Sequence, residues 1–239
     1  LLTIIFINQL IQNPIQTRKL IQSRKKGDII SNAKQGEYTY FAFEREWPGT
    51  VCKIRQCKPQ YMGQFDSQNF NIHGLWPNGS QTDNCFYPQK CGSESLDLKK
   101  VNSSSRAQIN KYWNGLYNDN NTFLSHEWSK HGTCFDGDMN TFFSSAVKLN
   151  DRYNPIKALA QANIVPNNKQ GYSLESILNA LQQDFGAEVE VICRKVKEQQ
   201  LLFAIDMYLN KNLKGAIKNP CRKKRNNCNY QEIVYIPTC

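Results

Sequence analysis

The sequence predicts an α+β fold, and three observations carry that prediction. Strand patterns stand early and late in the chain with helix patterns between them, the order of a sheet with helices segregated against it. The 239 residues suffice for one good core, and no internal repeat or long low-complexity linker divides them, so a single domain is expected. Nine cysteines are spread along the chain rather than gathered in paired C-x-x-C knuckles, which favours disulfides in an oxidising compartment over structural zinc. The expected architecture is a central, mainly antiparallel β-sheet with packed helices, held by disulfides. Nine is odd, so at least one thiol is left over or pairs between chains.

The chain opens with LLTIIFINQL, an apolar run too short to span a bilayer. Residues 1–12 read as the end of a signal-peptide core, with a buried strand as the alternative. The polar and basic stretch IQTRKLIQSRKKGD follows without periodic apolar spacing, so residues 13–36 are expected to be a mobile basic segment or propeptide. The folded domain is expected over 37–239. YTYFAFEREWPG alternates aromatic and other residues and reads as a strand ending at Pro48-Gly49. Residues 52–68 read as loop, with Cys52 and Cys57 close enough to pinch it. NFNIHGLW is short, apolar and bounded by turn residues, so it reads as a central strand, and residues 77–92 read as a long polar loop.

Helical patterns follow over LDLKKVNSSSRAQINKYWNGL, then SHEWSKHG with Ser125 as cap and Gly132 as stop, then MNTFFSSAVKLNDRY. YSLESILNALQQDFG carries a cap at Ser173, an apolar face of Leu174, Ile177, Leu178 and Leu181, and a stop at Gly186. EVEVIC, LLFAIDMYL and NYQEIVYIP close the chain as strands. No later segment is apolar enough to cross a membrane, so no membrane partner is expected. The N-x-[ST] triplets at Asn78, Asn102 and Asn120 are candidate glycosylation sites and agree with a secreted protein.

The net charge is +10, which draws polyanions and steers them at low salt. The plainer reading of that charge is solubility alone. The chain has three histidines. His126 and His131 lie within SHEWSKHGTC, beside Glu127 and Lys130, and His73 lies in FNIHGLWPNG. At about 100° per residue, with His126 at zero, Lys130 falls near about 40°, Glu127 near about 100° and His131 near about 140°. All four share one arc. The i,i+4 pair Glu127/His131 sets a carboxylate beside an imidazole, an arrangement that raises an imidazole pKa and fixes its ring. The pair His126/Lys130 suits an anion. HEWSKH resembles the metalloprotease H-E-x-x-H, but its histidines are i,i+5 and diverge on the helix, so chelation is awkward and no metal is expected.

RNA carries a nucleophile of its own, the 2′-hydroxyl beside each phosphodiester. Cleaving it needs a base for that hydroxyl, an acid for the departing 5′-oxygen and positive charge for the phosphorane, with no metal or cofactor. The two histidine segments hold that inventory, while DNA lacks the hydroxyl. Trp76 and neighbouring aromatics suit base stacking, and core packing is the alternative reading of Trp76.

FNIHGLWP and SHEWSKHGTC together resemble the two signature segments of the ribonuclease T2 family. Weaker likeness extends to EWPGTVC, ANIVPNNKQGYSLESI and the strand before Cys193, covering most of 38–239. The resemblance implies an α+β fold, a secreted or lysosomal/vacuolar setting, and endonucleolytic cleavage of single-stranded RNA through a 2′,3′-cyclic phosphate by a monomer. Carried over, His131 is the base and His73 the acid; Glu127 and Lys130 stabilise the transition state, His126 grips phosphate, Trp76 stacks on a base and Phe123 lies near the neighbouring base. Asn78 stands where some relatives have aspartate, so it is a candidate base contact. FEREWPG replaces a glutamine-rich stretch, so Arg45 and Glu46 are expected to alter substrate contacts. The resemblance also suggests bridges Cys52–Cys57, Cys91–Cys134 and Cys193–Cys228. A fourth family bridge is altered, because Tyr208 occupies the place of one partner, and Cys85, Cys221 and Cys239 stay unassigned. A secreted RNA-binding module without turnover, and a nuclease acting as a cytotoxin, are the rival roles.

Overall fold

A computed structural model describes residues 28–31, 33–55, 57, 58, 60, 66–81, 84–221 and 226–239. The signal-remnant expectation for 1–12 lies outside the described residues, as does the expectation for 13–27. The strands are β1 (Asp28–Ser31), β2 (Tyr40–Glu46), β3 (Asn71–Gln81), β4 (Asn84–Gln89), β5 (Asn167–Tyr172), β6 (Val189–Val196), β7 (Gln199–Asn210), β8 (Ala216–Ile217) and β9 (Val234–Ile236). The helices are α1 (Pro48–Arg55), α2 (Ser103–Tyr112), α3 (Asn120–Lys130), α4 (Met139–Arg152), α5 (Pro155–Gln161) and α6 (Leu174–Phe185). The sheet runs β1-β4-β3-β2-β7-β9-β5, with β6 and β8 also paired to β7. Among the described residues only β1/β4 and β7/β9 are parallel pairs, so the sheet is mixed and mainly antiparallel. The fold is α+β in a single domain, as the order of patterns implied.

β2 is buried along its whole length because both of its faces are covered. Phe41 and Phe43 enter the main core with Ile72, Leu75, Ile205 and Met207, against Trp113, Trp128, Phe142 and Phe143 from the helical side. Tyr40 and Ala42 point the other way and join Tyr208, Cys85 and Cys221 in a smaller cluster. α4 and α6 begin where side chains cap them: Asp138 accepts from Thr141 N, and Ser173 from Ser176 N. Gly186 ends α6 at φ +64°, a conformation glycine adopts without penalty.

Several local expectations are corrected. The pattern over 96–116 splits into a 3₁₀ turn at Leu98–Lys100 and α2, because Asn102 caps α2 afresh by accepting from Ser105 N. α3 starts five residues before Ser125, capped by Asp119 accepting from Thr122 N, and it ends at Lys130. Gly132 opens a 3₁₀ turn over Gly132–Cys134, and its role is close packing, since a Cβ there would lie 2.3 Å from the Trp128 ring. The expected loop at 77–92 holds the end of β3 and all of β4, and the expected loop after Cys52 begins inside α1. β1 lies in the stretch expected to be mobile, yet it pairs with β4 from Asp28↔Phe86 onward. Four disulfides join Cys52–Cys57, Cys91–Cys134, Cys193–Cys228 and Cys85–Cys221, leaving Cys239 as the free thiol. Cys221 therefore finds Cys85, and Tyr208 packs beside that bridge and donates its hydroxyl to Glu190 Oε2 at 3.0 Å.

Candidate active site

His73 owes its position to a break in the β2–β3 ladder. Glu44 stands opposite Gly74, but Arg45 stands opposite Ile72, so the register skips His73. Such bulges re-aim a side chain. The carbonyl that the ladder releases accepts from Trp113 Nε1 at 3.1 Å. The imidazole reaches back to β2, where Nδ1 lies 2.6 Å from Glu44 Oε1 and 3.1 Å from Glu46 Oε1. Burial opposes a charge on this ring, but Glu46 and Glu44 outweigh it and hold its pKa well above the ordinary 6.5.

α3 delivers the second set of groups. Leu124 and Trp128 pack into the core and fix the helix, which turns His126, Glu127 and Lys130 toward His73. His131 is the C-cap of α3, and its N–H donates to Glu127 O at 3.0 Å. Burial, then the charges of Lys130, His126 and His73, hold the His131 pKa well below 6.5. Burial, Lys130, His73 and Lys90 lower that of His126 in the same way. Glu127 is buried, which pushes its carboxyl up to about 7 against the opposing pull of His73, a hydrogen bond from Trp76 and Lys130.

The expectation that Glu127 would raise the His131 pKa is therefore overturned. Glu127 Oε2 accepts from Trp76 Nε1 at 2.9 Å, and its own burial disfavours the anion. The imidazole that carboxylates do serve is His73, through Glu44 and Glu46 on β2. Glu46 was a candidate substrate contact and Glu44 no candidate at all. Arg45 points into the core, where its guanidinium donates to Tyr153 O and lies over the rings of Phe43 and Phe185.

His73, Trp76, His126, Glu127, Lys130 and His131 line one cleft of about 450 Å³. Trp76 stands between the two catalytic candidates, with ring centroids 5.1 Å from His73 and 5.5 Å from His131. Phe123 lies 6.0 Å from His73 and forms part of the wall. Tyr117, Asn118 and Thr122 complete the rim. Sequence reasoning missed Thr122 because α3 was started too late, and Tyr117 and Asn118 because they lie in the loop that leads into it; their one signal was the Asp119 cap. Asn78 takes no part in the cleft. It is 7% exposed and hydrogen-bonded to the Tyr40 hydroxyl. Asn102 is exposed, although its amide donates to Asn140 Oδ1 and Ser144 Oγ, and Asn120 is partly exposed with Oδ1 accepting from Gly115 N.

Glu44, Glu46 and His73 also bring ligand atoms within 4.8 Å of one another, the one such metal-capable group among the described residues. A histidine nitrogen binds metal only when deprotonated. Here Nδ1 faces two carboxylates at hydrogen-bonding distance, which favours its proton.

Comparison with known proteins agrees with this geometry. Residues 38–228 match the model of the Ribonuclease T2 family. Ribonuclease Oy of Magallana gigas is 31% identical over 215 residues, covering 84% of this chain and 97% of that protein. Ribonuclease 1 of Arabidopsis thaliana is 30% identical over 199 residues, covering 80% of this chain and 84% of that protein. The crystal structure of RNase NT in complex with 5′-AMP superposes with a TM-score of 0.76 at 29% identity, covering 85% of this chain and 100% of that one. A fold, two histidine segments meeting in one cleft and a match over 38–228 thus agree: the chain belongs to the ribonuclease T2 family and is an RNA-cleaving endoribonuclease.

Proposed function

We propose that the chain cleaves single-stranded RNA by attack of the 2′-hydroxyl on its own phosphodiester, with His131 as base and His73 as acid, and without a metal. One observation carries the reading: two imidazoles of opposite proton affinity flank Trp76 in a single cleft. His131 takes the 2′-OH proton as O2′ bonds to phosphorus. His73 gives its Nε2 proton to O5′ as the P–O5′ bond breaks, leaving a 2′,3′-cyclic phosphate. Lys130 and His126 supply positive charge to the phosphoryl oxygens. Trp76 and Phe123 offer faces for bases. RNase NT in complex with 5′-AMP, and a ribonuclease MC1 variant with 5′-GMP at TM-score 0.66 and 28% identity, support a nucleotide ligand. Four disulfides favour an oxidising secretory, lysosomal or vacuolar lumen. A monomer acting on RNA and not DNA, without a membrane partner, completes the reading.

His73→Ala and His131→Ala should each cost about 10²–10⁴-fold in RNA cleavage while the fold survives. Near-wild-type activity in either variant refutes the assignment. Cleaved RNA should carry cyclic-phosphate ends, and EDTA should not reduce the rate. The rate should be bell-shaped in pH. It falls on the acid side as His131 gains a proton, well below 6.5, and on the basic side as His73 loses one, well above 6.5. A profile limited on the acid side near 6.5 contradicts it.

A further inference from the structure

We propose that Glu44 and Glu46 are positioning residues, whose carboxylates grip the Nδ1–H of His73 and so make that imidazole, rather than His131, the acid of the reaction. This rests on the acid–base reading above and explains what that reading leaves open, namely why two imidazoles in one cleft take opposite roles.

Without β2 the two rings would be alike. Both are held among the same groups: His126, Lys130 and Glu127 from α3, the indole of Trp76, and each other. Burial pushes both toward the neutral form, with Lys130 and His126 adding to it at His131, and a site with two neutral imidazoles has a base but no acid. The difference comes from one strand. Glu44 and Glu46 are two residues apart, so they project from the same face of β2. The bulge brings His73, and not its neighbours, against both of them. Glu44 is 2% exposed and Glu46 9%, so neither contact is screened as a surface pair would be. Asp206 is the register partner of Glu44 on β7, and its charge acts on Arg45.

The geometry also fixes the tautomer. With Nδ1–H donated to the carboxylates, Nε2 is the nitrogen left for the substrate. As the P–O5′ bond breaks, the Nε2 proton passes to O5′, and the ring returns to neutral imidazole with Nδ1–H still held. The next substrate cycle takes its proton back from water.

The test uses the full chain with labelled histidines, whose three imidazoles can be titrated individually by NMR. In Glu44→Gln/Glu46→Gln the His73 pKa should fall by about one unit or more, as expected for losing opposite charges at this range. His131 should rise slightly as the charge on His73 leaves. The basic limb of kcat/KM for RNA should move down with His73. Glu46→Gln alone, nearer the rim, should give part of the shift and serves if the double variant does not fold. An unchanged His73 pKa in a folded variant overturns the proposal whatever the activity does. A uridine 3′-phosphodiester with a 4-nitrophenolate leaving group separates the two layers of argument, because that group departs without an acid. His73→Ala should lose far less on it than on RNA. Equal losses would sink the acid assignment, while the titration would still judge the carboxylates.

Discussion

The Glu127 carboxyl combines burial, a pKa near about 7 and a hydrogen bond from Trp76 Nε1, so in mild acid it is a neutral group. A neutral carboxyl can donate to a phosphoryl oxygen and still accept from the indole. Glu127→Ala should therefore cost about 100-fold in kcat, the scale of one lost transition-state donor. Glu127→Gln keeps a donor and an acceptor, and should lose under about tenfold below pH 7. Equal losses in the two variants, measured at pH 5, would show that the anion is what matters. Lys130→Ala should lose less than either histidine variant. At this scale the four residues His126, Glu127, Lys130 and His131 were legible, because helix periodicity alone places them on one arc. The Glu44–His73 contact was not, because it depends on a bulge that no local pattern announces. Spacing gave Glu127 to the wrong imidazole for the same reason: a helical wheel sees neighbours on its own helix and nothing of the strand that faces it.

Among the elements, β3 bears the tightest constraint. A Cβ at Gly74 would lie 2.1 Å from Trp76 Nε1 and 2.3 Å from Glu127 Oε2, so only glycine lets strand and helix approach. Gly74→Ala should separate Trp76 from Glu127, lower activity on RNA and destabilise by about 1–3 kcal/mol in a urea titration. A variant with wild-type midpoint and rate would mean the strand shifts freely, against the Trp76–Glu127 hydrogen bond that forms there. Element by element, what the sequence revealed follows its chemistry. α4 and α6 are amphipathic and well capped, and they run where they were expected. β4 was hidden by its polar residues, although it pairs with β1 on one side and β3 on the other. α1 was hidden because it opens on Pro48-Gly49, which suits a helix start as well as a strand stop.

At the scale of the whole molecule, covalent ties and charge decide behaviour. Cys85–Cys221 spans 136 residues, and chain entropy assigns such a closure roughly 5 kcal/mol. Cys85→Ala/Cys221→Ala should lower Tm by about 10 °C. Cys52→Ala/Cys57→Ala, with a separation of 5, should lower it less, and the reverse order in calorimetry would contradict the loop argument. Fold class and single-domain organisation were legible from the order of patterns. This fourth bridge was not, since it joins a hidden strand to a distant loop. The skipped rung at residue 73 has a consequence for the molecule's history. Main-chain pairing carries β2 and β3 past that position without asking which side chain stands there. Stability and turnover are therefore under separate control, and one codon change could silence the chemistry while leaving a sound scaffold free to take up other work.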